Sequence, residues 1–400
     1  MRRRLTMAKK RSMSKARRIS ESSRGAVQSM GTGTMPSGSD LPVVTSLIAR
    51  PVIVPMKRPL YVATGAVEHA ALVLIDIKTS AGFSGRSYLF AFTQPVQAAI
   101  VELLQGMEAM IKGDAVSPFD IERKLRAKHR LLGLQNVVMF AISGIDMALW
   151  DTFAKLIDQP LVCALGGSVK PIPAYNSNGL GIMPTDALVQ EAEQLLAEGF
   201  NAVKMRVGRE TAQADLIAIQ AVKKAIGSDT ILMCDFNQGL TVAEAIHRGR
   251  MIDDEGGMAW IEEPIQADDY RGLKKVAAAL QTPVSVGENF MGPEQMADAL
   301  SAGACDYVMP DVQRISGVSG WMRAAALADV AGVEMSSHLF PEVSSHLLGV
   351  TPTAHWLEYV DWAEPVLRQK HQIADGAMLI SEEPGSGLDW DEKAVKKMLG

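Results

Sequence analysis

The sequence predicts an α/β barrel preceded by a separate α+β domain, and three observations carry that prediction. From Pro171 onward, short apolar segments rich in β-branched residues recur, each followed by a polar turn and a stretch with helical period. Charged or titratable side chains fall at the carboxyl ends of these segments. Neither G-x-G-x-x-G nor G-x-x-x-x-G-K is present, whereas a doubly wound sheet would be expected to show a Gly-rich phosphate turn after its first strand.

Composition bounds the class. The chain has 400 residues, 48% hydrophobic and 21% charged, enough for a large core in one or two domains. A disordered chain and a disulfide miniprotein are excluded. No uninterrupted apolar run reaches the roughly 18 to 20 residues of a membrane helix, and the longest candidate, 137–150, is broken by Ser143, Gly144 and Asp146. Cys163, Cys234 and Cys305 form an odd set without a C-x-x-C pair or a secretory apolar region, which suits a reducing cytoplasm.

The net charge of −5 combines two unlike parts. Ten of the 40 basic residues lie in 1–25, where Glu21 is the only acid, while residues 41–400 carry 30 basic and 43 acidic residues. So acidic a body repels nucleic acid, and no nucleic-acid or membrane partner is expected. Residues 1–40, rich in Arg, Ser, Gly and Met without an apolar period, read as a disordered basic tail. An organelle transit peptide, or a start upstream of Met30 or Met35, accounts for the same composition.

Taken in order, 43–55 and 70–77 read as strands and 95–111, 118–128 and 137–156 as helices, which makes 41–158 the α+β domain. The barrel, 159–368, takes its strands from 172–175, 202–207, 231–236, 259–262, 284–287, 307–309, 333–336 and 356–359. Helices such as 212–226 and 293–302 lie between them. Eight such units in about 190 residues suit closure into a barrel. Residues 369–400 return to short mixed patterns expected to pack on the first domain.

Lys204, Asp235, Glu262, Glu288, Asp311, His338 and Glu358 follow one another at intervals of 20 to 31 residues, about one β/α unit each. In a barrel they converge on one mouth. Asp235, Glu262 and Glu288 end three successive strands, and three carboxylates brought together repel unless a cation neutralises them. A hard, oxygen-seeking ion is implied, with Mg²⁺ the natural choice. Any one of these acids alone reads equally well as a helix cap or a surface ion pair, but three in consecutive units do not. Glu263 is expected to support the site from behind, because neighbouring strand residues point to opposite faces. Asp311 and His338 end adjacent strands, so the carboxylate would fix the imidazole tautomer and raise its basicity, as a general base requires. Lys204 and Arg206 alternate on one strand and share a face, with an interior ion-pair network as the other reading. Glu358 would share a proton with a substrate carboxylate if the site raises its pKa. The remaining histidines, His69, His129, His247, His346, His355 and His371, read as structural.

Together these motifs resemble the enolase superfamily, and within it the mandelate racemase group, from about Leu41 to Trp390. The resemblance implies an α+β capping domain over a modified TIM barrel, (β/α)₇β. It also implies Mg²⁺ on Asp235, Glu262 and Glu288, and abstraction of the proton α to the carboxylate of a small-molecule substrate. By the same resemblance His338 with Asp311 is the base, Glu358 the electrophilic acid, and Ser177 and Asn237 touch the substrate. YVATGAV (61–67) and SYLFAFT (87–93) are similar to the loops that close over the substrate. Phe90 and Phe92 then form an apolar wall, unless both belong to the capping-domain core. The family commonly forms symmetric homo-oligomers.

One position departs from the pattern. Racemases of this group carry Lys-x-Lys, and this chain has Lys204-Met205-Arg206. Arginine keeps its proton to above pH ~12, so it is a poor second base. The leading expectation is a racemase or epimerase of a 2-hydroxy acid with a hydrophobic substituent. The alternative is an acid-sugar dehydratase using His338 as its single base. A barrel that has lost activity is the third reading.

Overall fold

The computed structural model describes residues 41–62 and 65–399, so the tail expected over 1–40 lies outside the described residues. A long antiparallel hairpin founds the first layer. β1 (Val44–Val62) pairs with β2 (Gly65–Thr79), and β2 pairs with β3 (Ser84–Phe90), in the order β1-β2-β3. Central strand β2 carries the apolar run Ala70–Ile77, interrupted only by Asp76, and is buried along it. Against the sheet lie α1 (Gln94–Ile111), α2 (Pro118–His129) and α3 (Val137–Leu156). Helix α1 buries Ile100, Leu104, Met107 and Ile111, a stripe at helical spacing. By length and composition α3 is apolar enough to cross a membrane, but here it is the core helix, buried almost throughout.

Residues 87–93, expected as a closing loop, begin as strand: Ser87–Phe90 belongs to β3. Tyr88 and Phe90 favour a strand, and pairing of 84–90 with β2 draws the segment into the sheet.

After the short α4 (Leu161–Ala164) the chain enters the barrel. Its strands are β4 (Pro171–Asn176), β5 (Ala202–Arg206), β6 (Ile231–Asp235), β7 (Ile261–Glu262), β8 (Val284–Val286), β9 (Tyr307–Val308) and β10 (Leu357–Tyr359). Between them run α5 (Thr185–Ala197), α6 (Ala212–Ile226), α7 (Val242–Asp254), α8 (Tyr270–Ala279), α9 (Pro293–Ala302), α10 (Gly317–Ala331) and α11 (Pro341–Val350). Strands β4 to β9 pair in parallel and in sequence, and β10 returns to β4.

The strand expected at 333–336 is reduced to single bridges. Met335 bridges Val308 on one side and Ala354 on the other, and the segment holds its place without a ladder of its own. The strands over 259–262 and 307–309 are likewise shorter than their apolar runs, with two residues each.

The C-terminal segment touches both layers. β11 (Ile373–Ala374) and β12 (Ala377–Leu379) form a hairpin whose second strand pairs antiparallel with β4. Beyond it, Trp390 Nε1 donates to Asp76 on β2 at 3.1 Å, and α12 (Glu392–Met398) leads to a bridge between Leu399 and Val52 on β1.

Candidate active site

Parallel register assembles the acids. Arg206 pairs with Asp235, and Asp235 with Glu262, so the carboxyl ends of β5, β6 and β7 lie in one row. One carboxylate oxygen from each of Asp235, Glu262 and Glu288 lies within 4.8 Å of the other two. Asp235 and Glu262 are buried, and Glu288 sits at the open side. Burial pushes the Glu262 carboxyl up to about 8, with Lys204 opposing the rise and Asp235, Glu358 and Glu288 adding to it. Converging hard oxygen donors with mutual repulsion fit a divalent cation of the Mg²⁺ type.

The turn after β6 explains why Asp235 faces inward. Asn237 has φ 44°, donates its N–H to Asp235 Oδ1 at 2.7 Å and its Nδ2 to Oδ2 at 2.9 Å. Asparagine tolerates the left-handed region, and here its amide closes onto the Asp235 carboxylate two residues back. Asn237, expected to touch substrate, is thus engaged with Asp235.

Glu263 departs from the reasoning made for it. The strand ends at Glu262, and at φ 36° Glu263 turns back instead of pointing to the opposite face. Asn289 Nδ2 donates to Glu263 Oε1 at 2.8 Å and to Glu288 Oε1 at 3.3 Å, linking the two acids. Burial and then Glu288 hold the Glu263 carboxyl well above its ordinary range.

Lys204 and Arg206 share the interior face, as alternation predicts. Lys204 Nζ lies 2.5 Å from Glu262 Oε1, 2.8 Å from Glu358 Oε1 and 3.6 Å from Asp235 Oδ2. Although burial opposes it, this carboxylate ring raises the lysine well above its usual value. Arg206 donates to the carbonyls of Ser177 and Gly179 at 2.7 and 3.0 Å, and to Ser177 Oγ at 2.9 Å. Ser177 Oγ in turn donates to Glu358 Oε1 at 2.7 Å.

Across the mouth, His338 Nδ1 meets Asp311 Oδ2 at 2.6 Å. A parallel bridge between the same two residues fixes the pair. His338 Nε2 points inward, 3.5 Å from Glu288 Oε2 and 3.9 Å from Glu358 Oε2. Burial works to lower the imidazole, but Glu288, Glu358 and Asp311 raise it to about 9. At Glu358 the shift runs opposite to the rise that sharing a proton with a substrate carboxylate would require. Burial alone would raise its carboxyl, yet Lys204, His338 and Arg206 hold it far below the usual range.

From the capping layer, Phe90 is buried while Phe92 is 45% exposed at φ 61°. Their ring centroids stand 4.3 Å apart, and Phe90 lies 5.2 Å from Trp362. Tyr61, at the end of β1, reaches the turn after β4, where its carbonyl accepts the Ile182 N–H at 2.7 Å. Only its flanks are described, since 63–64 are not.

Several neighbours escaped sequence reasoning. Trp260 donates to Glu262 Oε2 at 3.0 Å, and its position two residues before Glu262 was the available signal. Arg314 donates to Asn289 and lies over Phe92, with its guanidinium carbon 5.5 Å from the ring centroid. Trp362 had no local signal.

Comparisons with known proteins agree with this geometry. Residues 44–166 match the model of the mandelate racemase / muconate lactonizing enzyme N-terminal domain, and 187–394 the enolase C-terminal domain-like model. L-talarate/galactarate dehydratase of Salmonella typhimurium is 29% identical over 359 residues, covering 88% of this chain and 87% of that protein. A crystal structure of an enolase from alpha proteobacterium bal199 with bound magnesium is 44% identical, TM-score 0.88, covering 90% of this chain and all of that one. An enolase from Bradyrhizobium complexed with magnesium and mandelic acid is 40% identical, TM-score 0.85, covering 90% of this chain and 99% of that one. With both domain models matched in order and the carboxylate cluster at the barrel mouth, this chain belongs to the mandelate racemase / muconate lactonizing enzyme family of enolase-superfamily enzymes.

Proposed function

We propose that the chain removes the α-proton of a 2-hydroxy carboxylate from one face only, with His338 as base, and then expels the β-hydroxyl: a dehydratase of an acid sugar or a related 2,3-dihydroxy acid. The observation that carries this reading is the engagement of Arg206. Its guanidinium is committed to Ser177 and Gly179, and arginine does not shed its proton at working pH. The second face then has no base at this position, and racemisation needs one on each.

Asp235, Glu262 and Glu288 would hold Mg²⁺, which when bound neutralises the negative charge that develops on the substrate carboxylate. The chain's own groups do the rest. Asp311 holds Nδ1 of His338, so that in the deprotonated imidazole Nε2 would accept the α-proton. The Cα–H bond breaks, and its electrons move into the carboxylate to give the enediolate. When that collapses, the Cβ–O bond breaks, and the leaving hydroxyl takes the proton held on His338 and departs as water. Tautomerisation of the enol gives the 2-keto-3-deoxy acid. Lys204, now paired with Glu262 and Glu358, would bind the substrate carboxylate in this reading.

A second reading takes the stacked rings of Phe90, Phe92 and Trp362 as an apolar wall of the mouth, although Phe90 is also part of the core, and such a wall would suit an aryl substituent better than a polyhydroxylated chain. In it the chain is a racemase or epimerase of a 2-hydroxy acid with a hydrophobic substituent. Proton NMR in D₂O with Mg²⁺, following each enantiomer of mandelate and other 2-hydroxy acids beside a panel of acid sugars, separates the two. Formation of a 2-keto-3-deoxy acid supports the first. Exchange of both enantiomers with inversion overturns it in favour of the second.

A further inference from the structure

Gln313 joins the capping layer to the barrel. It is buried in the turn after β9, two residues beyond Asp311. Its backbone N–H donates to Asp311 Oδ1 at 2.7 Å. Its side-chain Oε1 accepts the Phe90 N–H at 2.7 Å, and Nε2 donates to the Phe90 carbonyl at 3.1 Å. Phe90 ends β3, an edge strand of its sheet, so these two backbone groups lack a strand partner on that side. A primary amide supplies one donor and one acceptor, as a neighbouring strand would. Among side chains of this length, glutamate keeps only the acceptor and methionine keeps neither.

The same residue therefore holds the carboxylate that orients His338 through its backbone, and the backbone of the aromatic wall through its side chain. Phe92, two residues on, stays in a left-handed conformation unfavourable for phenylalanine, which persists only where the surroundings over-determine it. We infer that Gln313 is a specificity-determining positioning residue: its amide sets where the Phe90–Phe92–Trp362 wall stands relative to His338, and so which substituent is accepted beside the dyad. The inference rests on reading His338 as the base only for the location of the reacting carbon. The preference itself is a matter of binding.

The test is calorimetric binding of mandelate and of lactate to the full-length, Mg²⁺-loaded protein, which separates an aryl from a methyl substituent on one 2-hydroxy acid. The unaltered chain is expected to prefer mandelate. Gln313→Met should cut that preference roughly tenfold, the loss of two hydrogen bonds to a placed backbone, while affinity for lactate changes less than about twofold. Gln313→Asn, which keeps the amide but draws it back from Phe90 by one methylene, should lose part of the preference and, adding no buried charge, guards against misfolding of the first variant. No preference in the unaltered chain, an unchanged ratio in folded Gln313→Met, or equal loss for both acids overturns the inference. His338→Asn should keep the preference while α-proton exchange disappears. Exchange that survives in His338→Asn removes the base assignment and leaves the binding result to stand by itself.

Discussion

Arg206 grips Ser177 at two points: Nη1 donates to its carbonyl at 2.7 Å and Nη2 to its hydroxyl oxygen at 2.9 Å. The hydroxyl passes the contact to Glu358 at 2.7 Å, so the position that carries the second lysine in related racemases here braces the far wall of the mouth. Lysine offers a single point charge and cannot reproduce this fork, but its amine can lose a proton in a desolvated site. Arg206→Lys is expected to lower turnover of the preferred substrate roughly tenfold through lost positioning, and to introduce α-proton exchange of the opposite enantiomer. Exchange in D₂O followed by NMR checks both. A variant that still works on one face only would show that something other than Arg206 closes the second.

Glu288 is the member of the carboxylate group at the open side, with its side chain 14% exposed. Glu288→Gln keeps the size and removes the charge, so Mg²⁺ affinity should fall by about tenfold or more and turnover should fall with it. Titration calorimetry with Mg²⁺ decides the matter. Unchanged affinity would take Glu288 out of the ligand set.

His346 on α11 accepts the Val162 N–H at 3.1 Å, and burial lowers its pKa to about 4. The unfolded chain, with an ordinary imidazole near pH ~6.5, takes up a proton first as pH falls. Stability from keeping His346 neutral is therefore complete above pH ~6.5 and declines as pH drops toward 4, by about 1.4 kcal/mol per unit. Urea denaturation between these pH values should show His346→Gln losing less stability than the unaltered chain. Parallel slopes would contradict the assignment.

Gly181 admits the end of β1. A Cβ there would stand 2.5 Å from the Tyr61 carbonyl oxygen and 2.8 Å from its nitrogen, both backbone atoms that cannot swing aside. Gly181→Ala is expected to displace the hairpin end and destabilise the protein by about 1 to 3 kcal/mol, read from thermal or urea unfolding. Substrate KM should rise as well, since Gly181 lies in the segment after β4 whose Ser177 and Gly179 hold Arg206. Unaltered unfolding and KM would mean that the hairpin relaxes without consequence.

Much of this molecule is set by local pattern. The helices at 212–226 and 293–302 follow from apolar stripes at helical spacing, and the structure has them at Ala212–Ile226 and Pro293–Ala302. Strand-end acids recur once per unit because a parallel barrel exposes only its carboxyl-end loops to the mouth, so Asp235, Glu262, Glu288, Asp311, His338 and Glu358 were all legible as one group. What spacing does not contain is side-chain direction and cross-chain partnership. That Ser87–Phe90 is an edge strand depends on β2, since Tyr88 and Phe90 favour a strand but do not specify which neighbour pairs with them. That Glu263 turns back at φ 36° depends on where the two-residue strand ends. That the Glu358 carboxyl is held below its ordinary range depends on Lys204 and His338, 154 and 20 positions away in the chain, arriving beside it. The sequence by itself determined the order of elements and the inventory of the mouth, because both follow from short-range periodicity. Only the tertiary structure decided which groups hold one another, and hence that Arg206 braces Ser177 and Gln313 ties Phe90 to Asp311, because charge and hydrogen bonding depend on distances between residues remote in the chain.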